Sequence, residues 1–143
     1  MLRVSQLLAG KGHDVWSVDA EEPVLEAIQI MADRHVGALP VLRGGELAGI
    51  ISERDYARKV ILLGRSSAET PVWQIMSAPA ITVAPEETVQ HCMEIMTERR
   101  IRHLPVIDDS GRMVGMISIG DCVRAVIEDQ KDTIQQLERF ISG

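Results

Sequence analysis

Gly49-Ile50-Ile51-Ser52-Glu53-Arg54-Asp55 returns later in the chain as Gly115-Met116-Ile117-Ser118-Ile119-Gly120-Asp121. Each stretch closes a longer repeat. Val18, Glu21, Glu22, Val24, Ile30, Met31, Arg34, Leu39, Pro40 and Val41 recur at a constant offset of 65 (from 18 to 83). Their counterparts are Val83, Glu86, Glu87, Val89, Ile95, Met96, Arg99, Leu104, Pro105 and Val106. From the motif glycines onward the offset is 66 (from 49 to 115), so one residue separates the two copies in length. The difference falls at a hairpin tip. Arg43-Gly44-Gly45-Glu46 offers two glycines able to take positive φ, and Asp108-Asp109-Ser110-Gly111-Arg112 offers a longer turn. A tip absorbs such a change without altering strand register. The chain is therefore one small supersecondary unit used twice.

Composition agrees with a compact domain, or two small subdomains sharing a core. The chain has 143 residues, 45% of them hydrophobic and only 3% aromatic, so Ile, Val, Leu, Met and Ala must build the interior. A formal net charge of −6 argues against a general polyanion-binding surface, and nucleic acid is not an expected partner. The sequence contains no apolar run of membrane-spanning length and no signal-like start, which predicts a cytoplasmic protein with no membrane contact. Cys92 and Cys122 match neither a zinc spacing nor a redox Cys-x-x-Cys and read as reduced, buried thiols.

Within each repeat the elements follow from periodicity. Val15-Trp16-Ser17-Val18 reads as a short strand, and Asp19 with Glu22 as a capping box for a helix from Pro23 to His35, with Pro23 in its first turn. Val24, Ile28, Met31 and Ala32 recur at helical spacing, as do Val89, Met93 and Met96, so each helix has an apolar face and the methionines fill the core. Residues 38–42 and 47–51 read as a hairpin with Pro40 near a strand start, and 53–63 as a second helix. The predicted fold is α/β (α+β): two tandem strand-helix-strand-strand-helix repeats that pack through their sheets with pseudo-two-fold symmetry, since neither alone buries much apolar surface. The expected boundaries are an N-terminal segment at 1–14 with a small helix over Val4 to Leu8, repeat one at 15–63, a polar linker at 64–79, repeat two at 80–127 and a C-terminal helix at 128–143. Ile134, Leu137 and Ile141 share one face of that last helix, for packing either on its own chain or on a second copy.

The chemistry lies where strand becomes helix. Ser52 and Ser118 fall at helix N-termini, where unbonded N–H groups and a hydroxyl together suit an anionic oxygen. Asp55 and Asp121 follow one turn later, and a carboxylate there suits two vicinal hydroxyls such as those of a ribose. A single Ser-x-x-Asp at a helix start is ordinarily just a cap. Two copies at matched positions favour a binding role.

A Leu-Pro-Val strand, a hairpin and a Gly-hydrophobic-hydrophobic-Ser-x-x-Asp ending, present in tandem, resemble the cystathionine β-synthase (CBS) domain pair, or Bateman module. The resemblance spans about Val15 to Ile127. Ser-Glu-Arg-Asp-Tyr-Ala-Arg-Lys (52–59) and Glu-Arg-Arg-Ile-Arg-His-Leu-Pro-Val (98–106) are similar to stand-alone pairs without a catalytic domain. The resemblance implies a regulatory, energy- or redox-sensing protein that binds AMP, ADP, ATP, NAD or S-adenosylmethionine in clefts between the repeats, requires no cofactor, and forms a disc-shaped homodimer. It implies ribose-binding roles for Asp55 and Asp121 with Ser52 and Ser118 beside them, base contacts for Ser17 and Thr82, and a phosphate-facing site at Arg102 and His103. Arg54 and Ile119 belong to the same motif copies, and Arg100 adds an arginine within reach of phosphate. Gly37 and Ala38 stand where Arg102 and His103 do, and Gly120 where Arg54 does, so the two clefts are expected to differ in charge.

Other residues take plainer readings. His13-Asp14, His35 and His91 are not spaced as metal ligands, Glu98-Arg99-Arg100 is a solvated helix end, and Trp16 and Trp73 cover apolar surface. No Ser-His-Asp or Cys-His arrangement and no phosphate-cradling glycine loop can be assembled, so no enzyme activity is expected. The alternative to a nucleotide sensor is a nucleotide-independent module that regulates a partner enzyme such as a thioredoxin-type oxidoreductase.

Overall fold

The computed structural model describes residues 1–142, which divide into two compact units. One unit is Val15–Ile81; the other joins Met1–Asp14 to the chain from Thr82 onward. Both are mixed α/β, as the duplicated pattern requires.

The Val15–Ile81 unit carries a three-stranded sheet. Strand β1 (Val18–Asp19) runs parallel to β2 (Ala38–Arg43), and β2 pairs antiparallel with β3 (Glu46–Ser52), setting Leu39 opposite Ile51 and Val41 opposite Gly49. The expected first strand is shorter than 15–18. Only Val18 of that stretch joins the sheet, while Trp16 stays 42% exposed with the Arg34 guanidinium 3.8 Å from its ring centroid. Gly44 and Gly45 both have positive φ, the geometry of the tight β2–β3 turn. Helix α2 (Val24–Arg34) turns Val24, Ala27 and Met31 into the core; Ala32 is exposed, and Ala27 takes the place assigned to it. Its N-cap is Pro23, and the Asp19–Glu22 capping box does not form. Asp19 Oδ1 instead accepts from Glu21 N–H at 2.9 Å, and the Val24 N–H is bonded to the Thr70 carbonyl at 2.9 Å. A carbonyl distant in sequence has replaced the local cap. Helix α3 (Glu53–Tyr56) widens into a π-helical turn over Ala57–Ile61, with Leu62 N–H reaching back to the Ala57 carbonyl. A short 3₁₀ turn at Val72–Gln74 buries Val72 and Ile75 completely.

The other unit repeats this plan. Helix α4 (Val89–Arg99) buries Val89, Cys92 and Met96, so Cys92 stands where Ala27 does. Strands β4 (His103–Ile107) and β5 (Met113–Ser118) pair antiparallel, with Leu104 opposite Ile117 and Val106 opposite Gly115, and Val83 makes a parallel bridge to Val106 just as Val18 does to Val41. Asp108 Oδ1 accepts from the N–H groups of Ser110 and Arg112, which holds the longer hairpin closed. Helix α1 (Val4–Lys11) runs three residues past the expected end at Leu8, and it belongs to this unit: Val4 N–H bonds the Glu87 carbonyl, and Val89 N–H bonds the Leu2 carbonyl. Helix α5 runs unbroken from Ile119 to Ser142.

Each repeat is therefore completed by a segment from outside it, and the motif glycines show how. A Cβ on Gly115 would lie 2.7 Å from Leu8 Cδ2 in α1, and one on Gly49 would lie 2.7 Å from the Ser77 carbonyl oxygen and 3.0 Å from Met76 Sδ. The glycines exist for that close approach. The two obstacles differ: a leucine side chain can yield, whereas the Ser77 carbonyl is held by Ile50 N–H at 3.0 Å, with Ser77 N–H bonded to the Ile50 carbonyl at 2.8 Å. Gly49→Ala should cost about 2 kcal/mol or more, and Gly115→Ala about 1 kcal/mol or less, in urea denaturation. Equal losses would mean that backbone crowding does not distinguish the two sites.

Candidate functional site

Both copies of the motif form the same local structure. Ser52 Oγ accepts from Asp55 N–H at 3.1 Å while Asp55 Oδ2 accepts from Ser52 N–H at 3.0 Å; Ser118 and Asp121 repeat this at 3.1 and 2.8 Å. These are reciprocal capping boxes built with aspartate at the third position. The N–H groups of Glu53 and Ile119 are also taken, by the carbonyls of Gly37 and Arg102 at 3.0 and 2.9 Å. The expected anion cradle of unbonded helix N–H groups is thus narrowed, because the first and third amides of each helix are already satisfied.

What distinguishes the site is what else reaches the carboxylates. Asp121 is 9% exposed, and its Oδ2 receives Lys11 Nζ at 2.5 Å while its Oδ1 receives the Arg124 guanidinium at 2.6 Å. Lys11 Nζ also donates to the Met116 carbonyl at 2.6 Å. Asp121 lies in a groove of about 420 Å³ that Leu2, Leu7, Lys11, Arg124 and Glu128 also line, all in one unit. Asp55 is likewise 9% exposed, and its Oδ1 receives Lys59 Nζ at 3.1 Å and the Ser77 hydroxyl at 3.3 Å. The two lysines are not repeat equivalents. Lys59 comes from the turn after Asp55, Lys11 from a helix 110 positions before Asp121.

The charge states follow from these contacts. Burial alone would raise the Asp121 carboxyl, but the Lys11 hydrogen bond and charge together with the Ser118 bonds outweigh it and hold the group below its ordinary value. His103 is held below the usual imidazole value of 6.5, first by burial and then by Lys11, with Asp121 opposing. It is therefore neutral at pH 7, and of the expected basic pair Arg102-His103 only Arg102 carries charge. Cys92 and Cys122 are fully buried, and burial pushes their thiols up to about 12 and about 11, consistent with inert core thiols.

The expected site residues divide between the units. Ser17, Ser52, Arg54 and Asp55 lie in the Val15–Ile81 unit, with Ser17 half-buried just before β1. Thr82, Arg100, Arg102, His103, Ser118, Ile119 and Asp121 lie in the other. There His103 and Ser118 are direct cross-strand partners, Ile119 begins α5, Arg102 and Thr82 are exposed, and Arg100 caps α4 in the left-handed region at φ 56°. Lys11, Lys59, Ser77 and Arg124 were not foreseen. Lys59 and Arg124 sit four and three residues after the aspartates, a spacing legible on any helix. For Lys11 and Ser77 the available signal was a further echo, Val4-Ser5-Gln6-Leu7-Leu8 against Val72-Trp73-Gln74-Ile75-Met76, which marks the two completing segments. Among the described residues no cluster of three or more His, Cys, Asp or Glu is placed to hold a metal, and no helix is long and apolar enough to cross a membrane.

The CBS domain pattern matches residues 11–61 and 72–128. Among curated proteins the chain is 45% identical over 150 aligned positions to the CBS domain-containing protein CBSX3, mitochondrial, of Arabidopsis thaliana, covering 98% of this chain and 72% of that one. Among solved structures it is similar to a CBS-domain protein from Burkholderia ambifaria, with 46% identity, a TM-score of 0.85, and coverage of 90% of this chain and 96% of that one. It is also similar to a CBS domain pair crystallised with 5′-methylthioadenosine and S-adenosyl-L-methionine, at 25% identity and a TM-score of 0.79 over 90% of this chain and 98% of that one.

Because the Asp121 carboxyl is depressed in the folded protein, its contribution to stability is present above the unfolded-state value and lost as pH falls through the folded one. Removing the lysine leaves burial less opposed. In Lys11→Met, carbon-detected NMR should find Asp121 titrating at higher pH than in the parent, and the acid-unfolding midpoint should move up with it. An unchanged Asp121 titration would assign the depression to Ser118 and Arg124 instead.

Proposed function

Because the chain belongs to the CBS domain family, as a tandem pair of that domain, we propose that it is a regulatory sensor of adenine nucleotides, with AMP the first candidate and ADP, ATP and NAD its competitors. The observation that carries this reading is the pair of buried carboxylates, Asp55 and Asp121, each backed by a lysine and each carried on the same strand-to-helix corner. A carboxylate is an acceptor-only group, and the vicinal hydroxyls of a ribose are two donors set to meet it. In the resting protein the lysines and capping amides occupy the oxygens; a nucleotide would exchange a lysine contact for hydroxyl donors, leaving the ammonium beside the incoming phosphate. Ser52 and Ser118 hold the carboxylates in place, Ser17 and Thr82 stand at the positions assigned to the base, and Arg102, with Arg100, supplies charge for phosphate. Arg54 and Ile119 flank the corners.

The two sites are unequal in this reading. With His103 neutral, the charge difference between the motif copies lies in Arg102 against Gly37 and in Arg54 against Gly120, while both carboxylates have a lysine of their own. The ligand's differential affinity for two conformations would then set how far a regulated partner protein responds. Support for an adenosine ligand comes from the neighbouring CBS pair bound to 5′-methylthioadenosine and S-adenosyl-L-methionine. A regulatory role is in keeping with the Burkholderia relative, described as a signal-transduction protein with CBS domains. A cytoplasmic location remains part of the reading, although the Arabidopsis relative is mitochondrial.

Titration calorimetry with AMP should find two unequal sites. Asp121→Ala and Arg102→Ala should each weaken the tighter one by about tenfold or more, the range set by hydrogen bonds to charged groups, and Asp55→Ala should weaken the other. Unchanged affinity in both Asp121→Ala and Arg102→Ala removes the proposed site, and two identical sites remove the asymmetry. Steady phosphate release from ATP by the purified protein would replace the regulatory reading with a catalytic one.

A further inference from the structure

Ser77 completes the edge of β3 with three hydrogen bonds. Its N–H donates to the Ile50 carbonyl at 2.8 Å, its carbonyl accepts from Ile50 N–H at 3.0 Å, and its hydroxyl donates to Asp55 Oδ1 at 3.3 Å. Met116 is the counterpart of Ile50 in β5. It lies opposite Pro105 as Ile50 lies opposite Pro40, so its N–H and carbonyl likewise turn away from the hairpin. There a single ammonium makes two of the three bonds: Lys11 Nζ donates to the Met116 carbonyl at 2.6 Å and to Asp121 Oδ2 at 2.5 Å. An ammonium carries donors only. The third bond therefore has no counterpart, and among the described residues Met116 N–H has no protein acceptor.

The cause lies in the length of the chain. Ten positions separate Leu8 from Val18, against seven between Met76 and Val83, and the additional three extend α1 to Lys11. The other segment has left its 3₁₀ turn by then and pairs main chain to main chain at Ser77. At Gly115 no backbone stands where the Ser77 carbonyl stands at Gly49: the three atoms nearest to an added Cβ all belong to the Leu8 side chain. Farther along the same edge, His13 Nδ1 meets the Val114 carbonyl at 2.9 Å. The outer edge of β5 is thus covered by two side chains of exposed residues rather than by main chain.

We propose that this edge docks one extended segment of a partner protein, which pairs antiparallel with Met116 as Ser77 pairs with Ile50 and offers a Ser or Thr hydroxyl to Asp121. The first repeat supplies the template for the occupant, and strand addition to an open edge is a general mode of peptide recognition. The residue before the hydroxyl must be small, because Leu8 already fills over Gly115 the place that Met76 takes over Gly49. With Lys11 displaced, Asp121 keeps Arg124 and gains a hydroxyl, the same set that Asp55 has in Lys59 and Ser77. Partner and nucleotide would then bear on one carboxylate, although the pairing itself requires no nucleotide.

The probe is the peptide acetyl-Ala-Ser-Val-Thr-Val-amide, added to the isotope-labelled full chain and followed by NMR, its Ser set against Met116 and its Thr against Val114. The Met116 N–H resonance should shift and its hydrogen exchange slow, with a dissociation constant of about 1 mM for so short a segment. Lys11→Met should tighten binding by about tenfold, the worth of a hydrogen bond to a charged group. N-methylation of the peptide Ser should abolish binding, and Ser→Ala in the peptide should weaken it by about threefold or more. No response at Met116 in either the parent or Lys11→Met, or equal binding of the N-methylated peptide, overturns the proposal; equal binding of the Ala peptide overturns the hydroxyl contact. Met116 N–H protected from exchange without peptide also overturns it, assigning the edge to residues 9–13 of the same chain if protection is independent of protein concentration and to a second copy if it is not.

Discussion

The close approach at Gly49 and Gly115 is the constraint on which both fold and site depend. Each glycine opens its copy of the repeated motif in the middle of a hairpin strand, and each lets a segment from outside the repeat lie against that strand at a distance no side chain would allow. On Gly115 the visitor is Leu8, three residues before Lys11, which grips Asp121. On Gly49 it is Met76, one residue before Ser77, whose hydroxyl reaches Asp55. The contact that completes each core also delivers a polar group to each carboxylate. The same segments satisfy the helix N-termini, Thr70 and Leu2 supplying carbonyls to Val24 and Val89.

Electrostatics then set the resting state. Two carboxylates brought nearly out of water would be costly unless paired, and both are paired with a lysine and held by backbone N–H groups. None of the buried polar side-chain atoms among the described residues is left without a partner. A ligand at either carboxylate therefore enters by exchange, and its net affinity is the difference between two good sets of hydrogen bonds. Such a site is sensitive to modest changes in its partners. It also explains how the same serine and aspartate make both a helix cap and a binding group: Oδ2 of each aspartate serves the cap, while Oδ1 meets side chains, Lys59 and the Ser77 hydroxyl at Asp55 and Arg124 at Asp121.

Much of this was legible in the residues. The 65- and 66-residue offsets placed the hairpins, the Gly44-Gly45 turn and the methionine core, and they fall on strands with matched registers, Leu39 opposite Ile51 and Leu104 opposite Ile117. Local pairs such as Asp55 with Lys59 were legible in principle, because a helix puts residues four apart side by side. The misses are of two kinds. Asp19 lost its cap role when the Thr70 carbonyl, distant in sequence, took the Val24 N–H, whereas Ala32 yielded its core position to Ala27 of the same helix and the first strand shrank to Val18–Asp19. His103 shows an effect of the fold on charge, since burial and then Lys11 hold its imidazole below the ordinary value.

By itself the sequence determined the repeat, its strand and helix order, the two Ser-x-x-Asp corners and their unequal surroundings at Gly37 and Arg102, because periodicity and turn chemistry act over a few residues and are written in residue identity. Tertiary structure alone decided that α1 completes the second repeat and the 72–77 segment the first, that Lys11 clamps Asp121, and that the stripe on α5 is left bare by its own chain. Those outcomes depend on which surfaces meet after the chain has turned back on itself, and the burial that results decides which charges survive and which hydrogen bonds are already made.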